Sequence, residues 1–216
     1  VPRRIAEASG ADAGCGVLEI GPGIGPLTAE LAQRAGKVVA VELDRALLPV
    51  LAETMAPYPN VEVVPGDVLK LDLTAIAAEK FQGLTPIVCA NLPYNVTSPI
   101  LEKLVESPCF TAFTVMIQRE VAQRLCAPQG SSEGGSFSLF LQYYMKPELL
   151  FDVPPEKFLP APKVTSAVIH CPVRKAPPVD VVSESALWRT VKAAFALRRK
   201  TLVNSLQTGF TLPKQD

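Results

Sequence analysis

A chain of 216 residues can form one well-buried domain with a small appendage. It is 48% hydrophobic and 19% charged with no 18-residue apolar run, which points to a soluble globular protein and away from a membrane-spanning helix or a disordered chain. Net charge is zero, but residues 1–100 hold 7 Lys/Arg against 11 Asp/Glu while residues 101–216 hold 14 against 10. The run Trp188–Lys200 carries five basic residues and no acid, the footprint of a polyanion binder or of a solvated helix face.

Five scattered cysteines without a Cys-x-x-Cys pair read as structural thiols of a reducing, cytoplasmic compartment. A single histidine, His170, leaves little scope for a metal site or a Ser-His triad. Val1-Pro2-Arg3-Arg4 is followed by no apolar stretch of a signal peptide. The start without Met, in mid-pattern, points to residues preceding Val1.

In chain order, Val17–Ile20 reads as a strand, followed by a glycine-rich turn and a helix around Pro26–Ala35. Val38–Val41 is a second strand and Ala46–Ala56 a helix. Val61–Val64 and Pro86–Ala90 are the third and fourth strands, Pro99–Glu106 a helix, and Thr111–Ile117 a fifth strand. Strands alternating with helices at this spacing predict βαβ units and a parallel sheet. The pattern then changes. Gln118–Leu125 reads as a short helix running into the flexible stretch Gly130–Gly135, and Phe137–Met145 is a further apolar segment. Strand candidates Leu149–Val153 and Val164–Cys171 flank a Pro-rich loop, which suits an antiparallel pair at the sheet edge. Asp180–Ser185 reads as a linker with a helix cap, and Ala186–Lys200 as a basic helix.

Between the first strand and helix lies Glu19-Ile20-Gly21-Pro22-Gly23-Ile24-Gly25. Closely spaced glycines let a backbone approach a ligand, and a helix N-terminus follows. Pro26 stands where the dinucleotide pattern needs its last glycine. A tight turn without a ligand is the competing reading. Glu42, at the end of the second strand and just before Leu43, is placed to take both hydroxyls of a ribose. Asp67 follows the third strand and can accept from an adenine amino group while the Val68 backbone reads a ring nitrogen; the alternative is an Asx-turn. Ligands bind in open α/β sheets at such carboxyl ends, so these features converge on a nucleoside cofactor.

Asn91-Leu92-Pro93-Tyr94, after the fourth strand, supplies an amide to accept from an exocyclic amine, a proline to fix the turn, and a ring to stack on a base. With the glycine turn and Phe158-Leu159-Pro160-Ala161-Pro162-Lys163-Val164-Thr165-Ser166, the chain resembles the ribosomal RNA adenine dimethylases over residues 5–208, most closely their bacterial small-subunit (16S) branch.

The resemblance implies a Rossmann-like, class I S-adenosylmethionine-dependent methyltransferase. Its sheet has seven mostly parallel strands with an antiparallel edge strand, over residues 1–178, and residues 179–216 begin a helical domain. It implies a cofactor set of Glu19, Gly21, Gly23, Gly25, Glu42, Leu43, Asp67, Val68 and Asn91, with S-adenosylhomocysteine as product and no metal. Asn91, Leu92, Pro93 and Tyr94 hold the adenine, Phe158 covers its other face, and Gln118-Arg119-Glu120 lines the pocket edge. Lys163, Arg198, Arg199 and Lys200 are the candidate phosphate contacts. The implied partner of this monomer is 16S rRNA in the small subunit or its precursor, with no membrane involved.

The family's N-terminal Gly-Gln-Asn-Phe-Leu motif is absent, and its C-terminal helical domain is cut off after Asp216. Three rival readings share parts of the pattern. They are a large-subunit (23S) dimethylase of the resistance type, a non-catalytic transcription or assembly factor that keeps the fold, and a DNA adenine methylase. Leu92 and zero net charge speak against the first. The intact Glu42, Asp67, Asn91 and Tyr94 speak against the second, and Leu92 with the Phe158 loop against the third.

Overall fold

The computed structural model describes residues 1–197 and 200–211. The element order is α1 (Pro2–Ala8), β1 (Cys15–Ile20), α2 (Pro26–Ala32), β2 (Lys37–Glu42), α3 (Leu48–Met55), β3 (Val61–Pro65), α4 (Leu73–Lys80), β4 (Thr85–Asn91), α5 (Thr97–Val105), β5 (Ala112–Gln118), α6 (Arg119–Cys126), α7 (Ser136–Tyr144), β6 (Glu148–Val153), β7 (Ser166–Pro172), α8 (Glu184–Phe195) and α9 (Leu202–Phe210). The strands form one seven-stranded sheet in the order β3-β2-β1-β4-β5-β7-β6. From β3 to β5 all neighbours are parallel, and β7 runs antiparallel to both β5 and β6. The antiparallel β6–β7 pair stands at the sheet edge, as the Pro-rich loop predicted. Within it the reversed strand is β7, one position in, while β6 forms the edge.

Successive strand residues face opposite sides, and both sides are covered. Leu18, Ile20, Val88 and Phe113 belong to one core, with Leu101 and Leu125. Val17, Cys89 and Met116 belong to the other, with Ile5 and Leu31. Burial on both faces explains why these strands read as continuous apolar runs.

Several elements depart from the sequence reading. The basic helix predicted over Ala186–Lys200 starts at Glu184, where the Ser183 side chain accepts from the Ala186 N–H, and stops at Phe195. The Lys200 N–H donates to the Leu197 carbonyl ahead of α9, which is capped by the Thr201 hydroxyl on the Asn204 N–H. Residues 137–145 supply most of helix α7. Helices α1 and α4 lie in stretches the apolar pattern left unassigned; α4 is started by the Asp72 carboxylate accepting from the Ala75 N–H at 2.9 Å.

Candidate active site

The glycine turn follows directly from β1. The Gly21 N–H donates to the Val41 carbonyl at 2.9 Å, which ties the turn to β2. Gly21, Gly23 and Gly25 have φ of 64°, 62° and 88°, a region that favours glycine. At Gly25 a Cβ would also sit 2.6 Å from the Met55 methyl carbon, so that glycine permits close packing on α3. At Gly21 and Gly23 nothing lies within 4 Å of where a Cβ would be, so the backbone borders open space.

Glu42 links this turn to the ends of β2 and β3. One of its carboxylate oxygens accepts from the Gly23 N–H at 3.2 Å and the other from the Asp44 N–H at 2.8 Å. Its backbone carbonyl accepts from the Gly66 N–H at 2.8 Å. Each carboxylate oxygen keeps lone-pair capacity for a ligand hydroxyl. Leu43, next along, is 67% exposed and offers a bare apolar surface. Asp67 does form the Asx-turn raised as the alternative, its Oδ1 accepting from the Leu69 N–H at 3.0 Å. Its Oδ2 has the Lys70 ammonium at 3.8 Å. The Val68 side chain is core, leaving its backbone as the part available to a ligand.

Glu19 is unlike the other acids. It is buried among β1, α2 and β4, and its Oε2 and the Thr28 hydroxyl are both fully buried without a hydrogen-bond partner. Burial pushes its carboxyl up to about 8, the nearby Thr28 hydroxyl pulls the other way, and the charge of Glu42 adds to the rise. Across on β4, burial first and then the Glu19 charge push the Cys89 thiol up as well. Two orphaned polar atoms at the root of the turn, the open space over Gly21 and Gly23, and a Glu42 carboxylate able to accept from ligand hydroxyls fit a nucleoside cofactor.

Beside β1 runs β4, with Val17 opposite Ile87 and Leu18 opposite Val88. Its last residue, Asn91, lies opposite Met116 of β5 and has an exposed side chain with no hydrogen-bond partner among the described residues. The next residue turns inward: the Leu92 side chain is 1% exposed, and its N–H donates to the Met116 carbonyl at 3.0 Å. Pro93 is extended, and its carbonyl accepts from both the Val96 N–H and the Thr97 hydroxyl, which closes a 3-10 turn over Tyr94–Val96. Tyr94 is half-buried, and its hydroxyl shares a 2.5 Å hydrogen bond with the Ser166 hydroxyl at the start of β7.

The loop before Ser166 leaves β6 through a 3-10 turn over Pro155–Lys157. Phe158 is half-buried against the core that contains Met116 and Val168. The Leu159–Pro160 peptide is cis, and Leu159 and Lys163 are exposed. The Arg119 N–H donates to the Thr165 carbonyl at 3.0 Å, holding the loop's end on α6. Gln118, Arg119, Glu120 and Gln123 line a cavity of about 450 Å³ with Val164 and Thr165.

A second cavity of about 1170 Å³ shares Glu120 and Gln123 and extends between α6, residues 131–136 and the end of α8, with Leu197 and Lys200 also lining it. Arg198 and Arg199 lie outside the described residues. Among the described residues no group of three or more His, Cys, Asp or Glu is placed to hold a metal, and no helix is long and apolar enough to cross a membrane.

Reading the sequence missed two features that organise the site. Ser166 appeared only as the end of a motif, with no partner assigned. The Tyr143 and Tyr144 hydroxyls both donate to the Glu184 carboxylate, at 3.2 and 2.8 Å, and Trp188 packs on Phe140, fastening α8 to α7. A lone tryptophan in a basic helix was the available signal.

The family model described as ribosomal RNA adenine dimethylase matches residues 1–215. The chain belongs to the ribosomal RNA adenine dimethylase family. Curated relatives named ribosomal RNA small subunit methyltransferase A include one from Alkaliphilus oremlandii, 49% identical over 89% of this chain and 68% of the relative. Another, from Geobacillus thermodenitrificans, is 48% identical over 94% of this chain and 70% of the relative. Among solved structures, a dimethyladenosine transferase from Plasmodium falciparum superposes with a TM-score of 0.80 at 26% identity, covering 95% of this chain and 72% of that one. A 23S rRNA methyltransferase, ErmE, gives 0.76 at 27% identity, covering 96% and 81%.

Proposed function

We propose that this chain transfers methyl groups from S-adenosylmethionine to the N6 amino groups of two adjacent adenines in the 3′-terminal hairpin of small-subunit (16S) rRNA, giving dimethyladenine and S-adenosylhomocysteine. The observation that carries the reading is the adjacency of the parallel strands β1 and β4, which brings the glycine turn and the exposed Asn91 out side by side at the carboxyl end of the sheet. Donor and acceptor sites thus meet where parallel strands end. Small-subunit rather than large-subunit rRNA is favoured by the name and the 48–49% identity of the bacterial relatives, set against 27% for the 23S enzyme.

Glu42 holds the ribose hydroxyls, Leu43 lies against the cofactor base, and Asp67 with the Val68 backbone reads that base's edge. Gly21, Gly23 and Gly25 border the methionine part, with Glu19 beneath it. The cofactor supplies a sulfonium methyl that leaves a neutral thioether behind.

The target amine is a poor nucleophile because its lone pair is delocalised into the ring. Hydrogen bonds from that amine to the Asn91 side-chain oxygen and the Leu92 carbonyl favour a pyramidal nitrogen with its lone pair free. Positioning and electrostatics then carry the rate without a strong base. Tyr94 stacks on one face of the adenine and Phe158 covers the other. Stacking contributes roughly 1–3 kcal/mol per base toward the cost of leaving the helix.

Lys163 and the basic residues Arg198–Lys200 contact phosphates and set register without reading sequence. Residues 1–178 form the catalytic unit and 179–216 the beginning of a helical RNA grip. The protein acts as a cytoplasmic monomer, where ribosomal subunits are assembled. The deciding experiment is labelled-methyl transfer to small subunits lacking the modification, beside large subunits and duplex DNA. Transfer to small subunits alone is expected; none by the full-length protein overturns the reading.

A further inference from the structure

Leu159 is 101% exposed: its side chain touches essentially nothing in the protein. Single exposed apolar residues are ordinary on protein surfaces, so exposure alone decides nothing. Its mounting is what sets Leu159 apart. Pro154 and Pro155 precede it, Pro160 and Pro162 follow, and each fixes its own φ. The Lys157 and Phe158 N–H groups donate to the Pro154 and Pro155 carbonyls, both at 3.1 Å. The preceding Phe158 is seated on the core that contains Met116, the residue opposite Asn91. Seven positions on, Ser166 is bonded to Tyr94. An aliphatic side chain is therefore held out from a braced loop whose two ends are fixed to the proposed adenine pocket. Lys157 and Lys163 on the same loop are exposed, with Glu156 the acid among them.

An adenine drawn into that pocket leaves a gap in the stack it came from, and the base step around the gap is unstacked. Proteins that hold such steps open insert apolar side chains, leucine among them, between the bases. We propose that Leu159 is a positioning residue that enters the RNA stack where the target adenine has left it and keeps the base from returning. This rests on the reading that the site acts on adenine in RNA. The flanking lysines face the phosphates on either side of the gap, and the prolines make the insertion rigid, so little ordering accompanies it.

The test uses the full-length protein and two RNAs of one sequence around the target: a hairpin in which the target step is stacked, and a short unstructured strand. Leu159→Ala is expected to lower methyl transfer to the hairpin about tenfold or more, mainly through kcat, and to leave the unstructured strand unaffected. With 2-aminopurine replacing the target adenine in the hairpin, its fluorescence rise on binding is lost in the same variant. Leu159→Met restores both. Cofactor affinity and the melting midpoint stay at wild-type values, since the side chain makes no protein contact. Equal losses on both RNAs, or no loss on the hairpin, overturn the wedge. Wild-type protein that methylates neither RNA nor small subunits lacking the modification overturns the adenine reading itself, and the wedge with it.

Discussion

The Tyr94 and Ser166 hydroxyls meet at 2.5 Å across 72 residues of chain. The bond joins the turn after β4 to the first residue of β7, and so couples the two motifs that flank the proposed adenine pocket. Ser166 is fully buried, so its hydroxyl would otherwise lack a partner in the core.

Breaking this bond from either side should have the same consequence. Tyr94→Phe keeps the ring for stacking and removes the hydroxyl; Ser166→Ala removes the other half. Each is expected to lower stability by about 1 kcal/mol and to slow transfer while cofactor affinity holds. The double variant should lose little more than either single one. A double-mutant cycle on unfolding free energy and on transfer rate checks this. Fully additive losses would show that the two hydroxyls act separately.

Asn91 stands at the end of β4 with its amide free of protein partners among the described residues. Asn91→Ala therefore leaves the melting midpoint close to wild type. If its oxygen accepts from the target amine, transfer falls by roughly 100-fold or more, the scale of removing one preorganised hydrogen-bonding group from a transition state. Cofactor affinity, measured by calorimetry, stays mostly intact. Parallel losses of affinity and rate would assign Asn91 to the cofactor instead.

Glu42 has the opposite profile. Its carboxylate holds the Gly23 and Asp44 N–H groups, so Glu42→Ala frees both the glycine turn and the start of the following loop. Hydrogen bonds to charged groups contribute about 1.5–3 kcal/mol, which predicts at least a tenfold loss of cofactor affinity. Saturating cofactor should recover most of the transfer rate, separating Glu42 from Asn91.

The parts legible in sequence are those where local chemistry and topology agree. The glycine turn, Glu42, Asp67 and Asn91 each follow a strand whose apolar run is unmistakable, and parallel order then brings their ends together. The position of β7 between β5 and β6 is not legible, because the Gln118–Ser166 pairing joins residues 48 positions apart, across α6, α7 and β6, and no local pattern sets it. The basic pattern through Lys200 predicts a longer α8 than forms, because the helix stops at Phe195. Helix α1 is seven residues long, and α4 is Ala-rich with little contrast between its faces, so neither gives a strong period. Glu19 was read from its motif. Nothing in the apolar run of β1 signals an acid buried to 1% exposure.

That burial makes Glu19 a source of pH dependence. Its carboxyl is raised from 4.5 to about 8, with burial the first cause, so the folded protein keeps it protonated at neutral pH. The folded state binds a proton that the unfolded chain releases above its ordinary carboxylate range. The contribution to stability is therefore fully present below about pH 4.5 and is lost progressively as pH rises toward about 8. Within that window the slope approaches 1.4 kcal/mol per pH unit, for a total on the order of several kcal/mol. His170 acts in the other sense: burial lowers its pKa, so its share is present above the ordinary imidazole value and is lost as pH falls. Glu19→Gln keeps the neutral shape and removes the titration, while His170 contributes equally to both proteins. Urea unfolding at pH 5, 6, 7 and 8 should show the Gln variant gaining on wild type at each step upward. Parallel stability curves would mean that Glu19 is already ionised in the folded protein, through a proton acceptor or solvent path at the root of the glycine turn.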